Sequence, residues 1–577
     1  KERTPASERR CRREQMEGSE GSGARSKTVP APVLIETPTK STRPKPLRLL
    51  AVVSIVFFNV SGGPLGSEGA VSSFGPIRGL LMVVAFAFCF SMPQAMMTAE
   101  LSTAFPVNGG YSIWVQTAFG TFWGVQESYW SWCSGVVDTA IYPVLLYSAA
   151  QQLLSSLGSS ALQYDSYDTG AYCRAHNETA PSSYSYDEGV GPVGGNSSSP
   201  ASHSNLWACM LDEGSGCATE YGVKLAVLTV FVLPNVFSSA LVGDMLTSMS
   251  LIAMAPFVAL CVVGLPRLDL SYFLLPVRTL NWRRGLSILY WNLSGFDCAS
   301  TVSGEVDEPN RTFPLALFLA LLAIVASYLL PLFVSVGLDP DWDCWVDGSL
   351  LRVAGKYGGP WLGAWMLLTS TLGNWGLFAA ELLEDSYQLL GMVEMGLAPA
   401  FLGGVSARDT PVRIIMLQYV IIALLVSLDF ESILCIDNFF SAAAAALEFV
   451  ALIKLRVSRP ELARAYHIPL SGTLPLSLFL SLPIAVSLAV CYVTLVEAAD
   501  SAGIIVCGLL VGVALYAPFA LGWAGEMDSR RLSRAAAEVS PKLAPTATGA
   551  LLGFHYGSQR TVSRVSVISS RRSSGLF

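Results

Sequence analysis

The stretch Tyr290-Trp291-Asn292-Leu293-Ser294-Gly295-Phe296-Asp297 puts a carboxylate and a Ser-Gly break inside an apolar, helix-length run. The polar string Glu305-Val306-Asp307-Glu308-Pro309-Asn310-Arg311-Thr312-Phe313-Pro314 follows it. A carboxylate in the middle of a membrane span costs several kcal/mol and by default marks a site. A helix interrupted at that depth survives only where its freed backbone groups line a protein-enclosed cavity, as in the discontinuous helices of secondary transporters. This segment reads as part of a carrier.

The surrounding chain agrees. With 52% apolar and 14% charged residues over 577 positions, it is too apolar for a water-soluble fold of this size. Apolar runs near the length of about 20 residues that crosses a bilayer fall at roughly 48–72, 77–98, 122–153, 222–241, 245–265, 285–304, 313–336, 361–384, 412–428, 433–454, 472–493 and 502–524. The expectation is an all-α polytopic membrane protein with twelve transmembrane helices. Only Val242-Gly243-Asp244 separates the fourth run from the fifth, so one long helix is an alternative there.

Lys and Arg near a membrane favour the cytoplasm. Twelve basic residues precede the first span and eight follow Gly522, which places both termini inside and the loop 154–221 outside. That loop carries eight acids, the single base Arg174, and sequons at Asn177 and Asn196, as an external glycosylated segment would. The loop 266–284, with Arg267, Arg278, Arg283 and Arg284, runs against the rule. Residues 1–46 and 525–577, rich in Ser, Pro, Arg and Gly, read as disordered cytoplasmic tails around a transporter domain at 47–524, and Met16 opens an alternative start. Four cysteines fall in external loops, Cys173, Cys209, Cys217 and Cys344, and sequence leaves their pairing open. No Cys/His cluster has metal spacing, so neither a metal nor a cofactor is expected, and nothing points to nucleic acid.

The first span is broken as well. Asn59-Val60-Ser61-Gly62-Gly63-Pro64-Leu65-Gly66-Ser67-Glu68 holds three Gly and a Pro, which interrupt a helix and expose main-chain groups. Spans one and six stand five apart. That is the offset of two five-helix repeats of inverted topology, each opening with a broken helix and enclosing the binding site at their interface.

Five stretches carry a resemblance: "NVSGGPLGSE" at 59–68, "TAELSTAFPVNGGYSIWV" at 98–115, "YWNLSGFDCASTVSGEVDEPNRTFP" at 290–314, "ELLEDSYQLLGMVEMGLAP" at 381–399 and "LEFVALIKLRVSRPELARAYHIP" at 447–469. On these the chain resembles the amino acid–polyamine–organocation superfamily, and within it the polyamine transporters of kinetoplastids and plants. Ala465 departs from the pattern, at a position that usually reads Pro. The resemblance implies a LeuT-like fold of ten core helices plus two peripheral ones, alternating access and proton coupling. It also implies a Trp in span six over a cationic substrate, an acid six residues later that helps couple protonation, and a Trp in span eight that closes the far side. Trp291, Asp297 and Trp375 occupy those places.

A polyamine needs anionic or π-face contacts at separated points and apolar walls between them. Candidate anions are Asp138, Asp297, Glu381 and Glu68, and candidate aromatic faces are Trp291, Trp375 and Tyr142, where a desolvated cation–π contact is worth about 2 kcal/mol. Asn292 offers an amide oxygen, and Gly62 and Gly63 offer main-chain groups. Asp297 or Glu381 is the expected proton-coupling group. Glu100 and Glu305 are assigned to cytoplasmic contacts, Asp437 to the solvated start of span ten, and Asp339, Asp341, Asp343 and Asp347, with the acidic external loop, to either a cation-gathering entrance or a solvated surface. Carriers of this fold that take amino acids hold the carboxylate on main-chain N–H groups of the span-one break; Pro64 has no N–H, which favours a substrate without a carboxylate. The expectation is a plasma-membrane importer of putrescine and spermidine whose partners are that small cation, protons and the lipid bilayer. A permease for cationic or large neutral amino acids is the main alternative, and a non-transporting sensor a more distant one. An enzyme is disfavoured: no nucleophile–base pair or P-loop stands out.

Overall fold

A computed structural model describes residues 47–147 and 215–521, apart from 278, 279, 346, 347, 407, 409, 428, 429 and 498. The two tails, nearly all of the loop 154–221 with Asn177, Asn196, Cys173 and Cys209, the Cys217 side chain, and Arg278 and Asp347 lie outside the described residues. Everything described belongs to the unit Arg43–Phe577.

Long apolar runs give long helices. In chain order they are α1 (Leu49–Val60), α2 (Glu68–Phe74), α3 (Pro76–Phe86), α4 (Met92–Ala104), α5 (Gly110–Phe119) and α6 (Thr121–Thr139). There follow α7 (Ser215–Phe237), α8 (Ser239–Gly264), α9 (Trp282–Leu293), α10 (Pro309–Val336), α11 (Ser349–Gly358) and α12 (Pro360–Glu394). The last are α13 (Val412–Leu425), α14 (Phe430–Ser458), α15 (Thr473–Glu497), α16 (Ala499–Leu515) and the single turn α17 (Ala517–Ala520). A π-turn at Ala87–Ser91 joins α3 to α4. Among the described residues no strand forms; the only sheet-like pairing is the bridge Leu47–Val306, which ties the chain before α1 to the end of the second break.

Seven helices are long and apolar enough to cross a membrane among the described residues. The remaining expected spans fall on helices that are broken, short or acid-bearing: α1 with α2, α6, α9 with its continuation, α12 and α13. Outward faces carry exposed leucines such as Leu251, Leu474 and Leu478. Such faces match hydrocarbon and not water, so this is a multi-pass membrane protein. The fourth and fifth runs are two helices, not one. The chain breaks at Ser238, whose extended backbone and side chain cap α8 by accepting from the Ala240 N–H, four residues before the break read from Val242-Gly243-Asp244.

The two interrupted helices meet. After Val60 the backbone turns extended at Ser61, and Gly63 and Gly66 take φ of 118° and 89°, a region that suits glycine. Gly295 in the second break has φ 96°, and a Cβ there would stand 2.7 Å from the Asn59 carbonyl oxygen, so glycine is what lets the breaks touch. Helix α12 closes on the first break in the same way, with Gly373 against the Gly62 carbonyl.

Candidate functional site

The breaks open onto a cavity of about 340 Å³. Its wall includes Asn59–Gly62 and Gly66 from the first break, Trp291, Asn292, Asp297 and Cys298 around the second, Asp138 and Tyr142 from the α6 region, Glu381 and Glu384 from α12, and Asp437 and Ser441 from α14. Five carboxylates line it, and no Lys, Arg or His does.

Their hydrogen bonds show a shortage of donors. The Tyr142 hydroxyl lies 2.7 Å from Asp138 Oδ2 and 2.5 Å from Glu381 Oε1, yet it has one proton for both. Trp291 Nε1 donates to Asp138 Oδ1 at 3.4 Å, which holds the indole at the cavity edge. Tyr111 donates to Glu384 Oε1 at 2.7 Å, and Ser134 donates to Asp437. Asp297 receives one side-chain N–H, from Gln94 Nε2 at 2.7 Å, and Gln94 is oriented by accepting from the Phe296 N–H. Each carboxylate has capacity for several hydrogen bonds, so the wall stays acceptor-rich. Such a wall can accept from a ligand that carries ammonium donors.

The first break has little left for an anion. The Gly63 N–H is bonded to Ser61 Oγ, the Gly66 N–H to Glu68 Oε2 at 2.6 Å, and Pro64 has none.

Of the residues expected from sequence, Gly62, Asp138, Tyr142, Trp291, Asn292, Asp297 and Glu381 stand together in this wall. Three do not. Gly63 lies just outside the lining, its α-carbon facing Met254 and Phe257. Trp375 is stacked on Phe231, centroids 5.3 Å apart, with its Nε1 donating to the Phe231 carbonyl; the neighbouring Asn374 lines the cavity instead. Glu68 is fully buried but its Oε1 accepts from the Gly348 and Leu350 N–H groups, so it caps α11 and is no free anion.

Two further expectations change. Asp437 is buried in the cavity wall and not solvated, because α14 packs there against α6 and Ser134 donates to its carboxylate. Asp339 is also buried, bonded to Arg352 at 2.9 Å and to Trp345 Nε1, which removes it from an entrance cluster. Glu384 was missed altogether, although it lies one helical turn from Glu381, where side chains share a face. Glu305 accepts from Asn108, and Cys344 is disulfide-bonded.

A second buried acid stands in contrast. Glu100 on α4 is held by Arg456 on both oxygens at 2.5 Å, by Arg464 Nε at 3.3 Å and by the Ile468 N–H at 3.0 Å. It clamps α4 to α14 and to the loop after it.

Residues 47–514 match the family model described as amino acid permease. The chain is 34% identical to a probable polyamine transporter of Arabidopsis thaliana over 75% of its own length and 80% of the relative's. It is 32% identical to the polyamine transporter PUT1 of Oryza sativa subsp. japonica, over 81% and 78% of the two chains. A shorter likeness, 25% over about a third of each chain, is to a vacuolar cationic amino acid transporter of Arabidopsis thaliana. With the broken helices, the cavity between them and a match that runs through all of it, the chain belongs to the amino acid permease family of membrane transporters.

Proposed function

We propose that this protein is a secondary active transporter that imports polyamines such as putrescine and spermidine. The single observation that carries this is a buried cavity with five carboxylates, no basic side chain and too few donors for its acceptors. A di- or trication brings the missing charge and the missing N–H groups together. A free amino acid would also bring a carboxylate into a wall of carboxylates, and two N–H groups of the first break that could hold it, those of Gly63 and Gly66, are already bonded. The relatives named as polyamine transporters support the same substrate class.

The reading extends to twelve spans, arranged as two inverted five-helix repeats with α1 and α9 as the opening broken helices and two peripheral helices at the carboxyl end. Alternating access then exposes the cavity first to one side and then to the other. We place the protein in the plasma membrane with both termini cytoplasmic. Trp291 lies over one ammonium group, held by Asp138, while Asp297 and Glu384 face the other. An inside-negative potential drives a dication inward by about 4.6 kcal/mol per 100 mV. A co-transported proton adds to this, with Asp297 or Glu381 exchanging it.

Uptake of labelled putrescine and spermidine into proteoliposomes tests the reading. Saturable uptake that excess lysine and arginine fail to compete supports it. Transport of arginine, lysine or a neutral amino acid without polyamine transport points to the amino acid permease alternative.

A further inference from the structure

Behind Asp297, outside the cavity lining, stand two acids that the substrate site does not use. Glu448 on α14 and Glu127 on α6 are both 0% exposed. No N–H or O–H among the described residues donates to either oxygen of Glu448, and Glu127 Oε2 is equally unpartnered, while Oε1 accepts from Ser131 at 2.8 Å. The Glu448 side chain is within hydrogen-bonding reach of Asp297, and Glu127 acts on both electrostatically.

Two carboxylates can share a hydrogen bond only if one of them carries a proton, because an ionised carboxylate is acceptor-only. Buried like charges without a counterion cannot both persist. None is at hand. The groups facing Glu448 are Glu127 from α6, Asp297 from the second break and Glu384 from α12. The α4 residue that bonds Asp297 is the neutral Gln94. The membrane-spanning part of α15, Thr473–Val496, has no Asp, Glu, Lys, Arg or His. The basic residues of α14 are engaged elsewhere: Lys454 lies over the Phe119 ring and Arg456 is held by Glu100.

We infer that Glu448, backed by Glu127, is the proton-holding site of the carrier and that Asp297 connects it to the substrate cavity. The inference rests on the transporter reading above. With the cavity empty, Asp297 and Glu448 share one proton. A cation in the cavity holds the negative charge on Asp297, and the proton moves fully onto Glu448, from which Glu127 is the next acceptor. No other bond is made or broken.

Glu448→Gln keeps the size of the side chain and removes the exchangeable proton. In proteoliposomes with the membrane potential clamped, the expected result is retained putrescine–putrescine exchange at equal pH and lost stimulation of uptake by an inward proton gradient. Glu127→Gln is expected to weaken that stimulation, and Glu448→Asp to restore part of it. Wild-type stimulation in Glu448→Gln overturns the proposal. So does loss of exchange along with stimulation in both Gln variants, which would make the pair part of the packing or the substrate site. A second readout needs no polyamine: the infrared C=O band of a protonated carboxylic acid, present in the purified wild type and lost in Glu448→Gln. If the wild type shows that band but exchanges no polyamine, the substrate reading fails and the proton site stands. If Glu448→Gln leaves the band unchanged, the proton site fails.

Discussion

Two groups of buried acids in this protein differ in one respect, their counterions. Glu100 has two arginines and a backbone N–H around it; the cavity acids Asp138, Asp297, Glu381, Glu384 and Asp437 have hydroxyls, an indole and an amide. Burial is alike in both groups, since all six side chains are less than a tenth exposed. A buried carboxylate needs a partner charge or a proton. Where the chain supplies its own cation, the acid joins helices; where it supplies none, the proposed function leaves the acid for a cation from outside or, at Glu448, for a proton. On the proposed function, this contrast is what separates structural acids from functional ones.

That contrast can be broken by exchanging what each group lacks. The largest effect is expected at the clamp: Glu100→Gln strands two arginines and should cost about 3–5 kcal/mol of stability, read as a lower midpoint of thermal aggregation in detergent. If Glu100→Gln is as stable as wild type, the acid does not act as a clamp. Asp297→Asn should do the opposite, leaving the midpoint unchanged or raised and cutting putrescine uptake by about a hundredfold, the equivalent of about 3 kcal/mol. A large fall in the midpoint would place Asp297 with the structural acids. Trp291→Leu removes a π-face worth about 2 kcal/mol and should raise KM for putrescine by about thirtyfold with the fold intact. The smallest change is expected at Trp375→Phe, where the stack on Phe231 is preserved and uptake should move less than about twofold, for a packing difference of about 0.5 kcal/mol. A thirtyfold change there would return Trp375 to the substrate.

The broken helices were legible because Gly, Ser and Pro clustered inside an apolar run weaken a helix wherever they fall, and both breaks stand within a residue or two of their expected places. Asp138, Asp297 and Glu381 were legible for a related reason, since acids at membrane depth are costly enough to be conspicuous, and Trp291 was legible through the resemblance, by its spacing from Asp297. What was not legible is direction and partnership. Glu68 and Trp375 have the right chemistry at the right depth, but α11 offers its N-terminus to one and Phe231 its ring to the other, contacts made across the fold by residues distant in sequence. Asp437 was misplaced because it lies near the end of an apolar run, where sequence cannot tell a shallow residue from one that neighbouring helices cover. Glu384 had a local signal in its spacing from Glu381. Glu448 and Glu127 carried the signal of any acid inside an apolar run, but nothing local relates one to the other or to Asp297, and only the packing of α6 against α14 brings them together.

The most direct test of a cavity built for a cation without a carboxylate is paired transport of labelled putrescine and labelled lysine by purified protein in proteoliposomes, with Asp297→Asn alongside. Saturable putrescine transport that the variant loses, with lysine neither carried nor competing, is the expected result. Lysine carried as fast as putrescine would contradict it and return the carboxylate to the substrate.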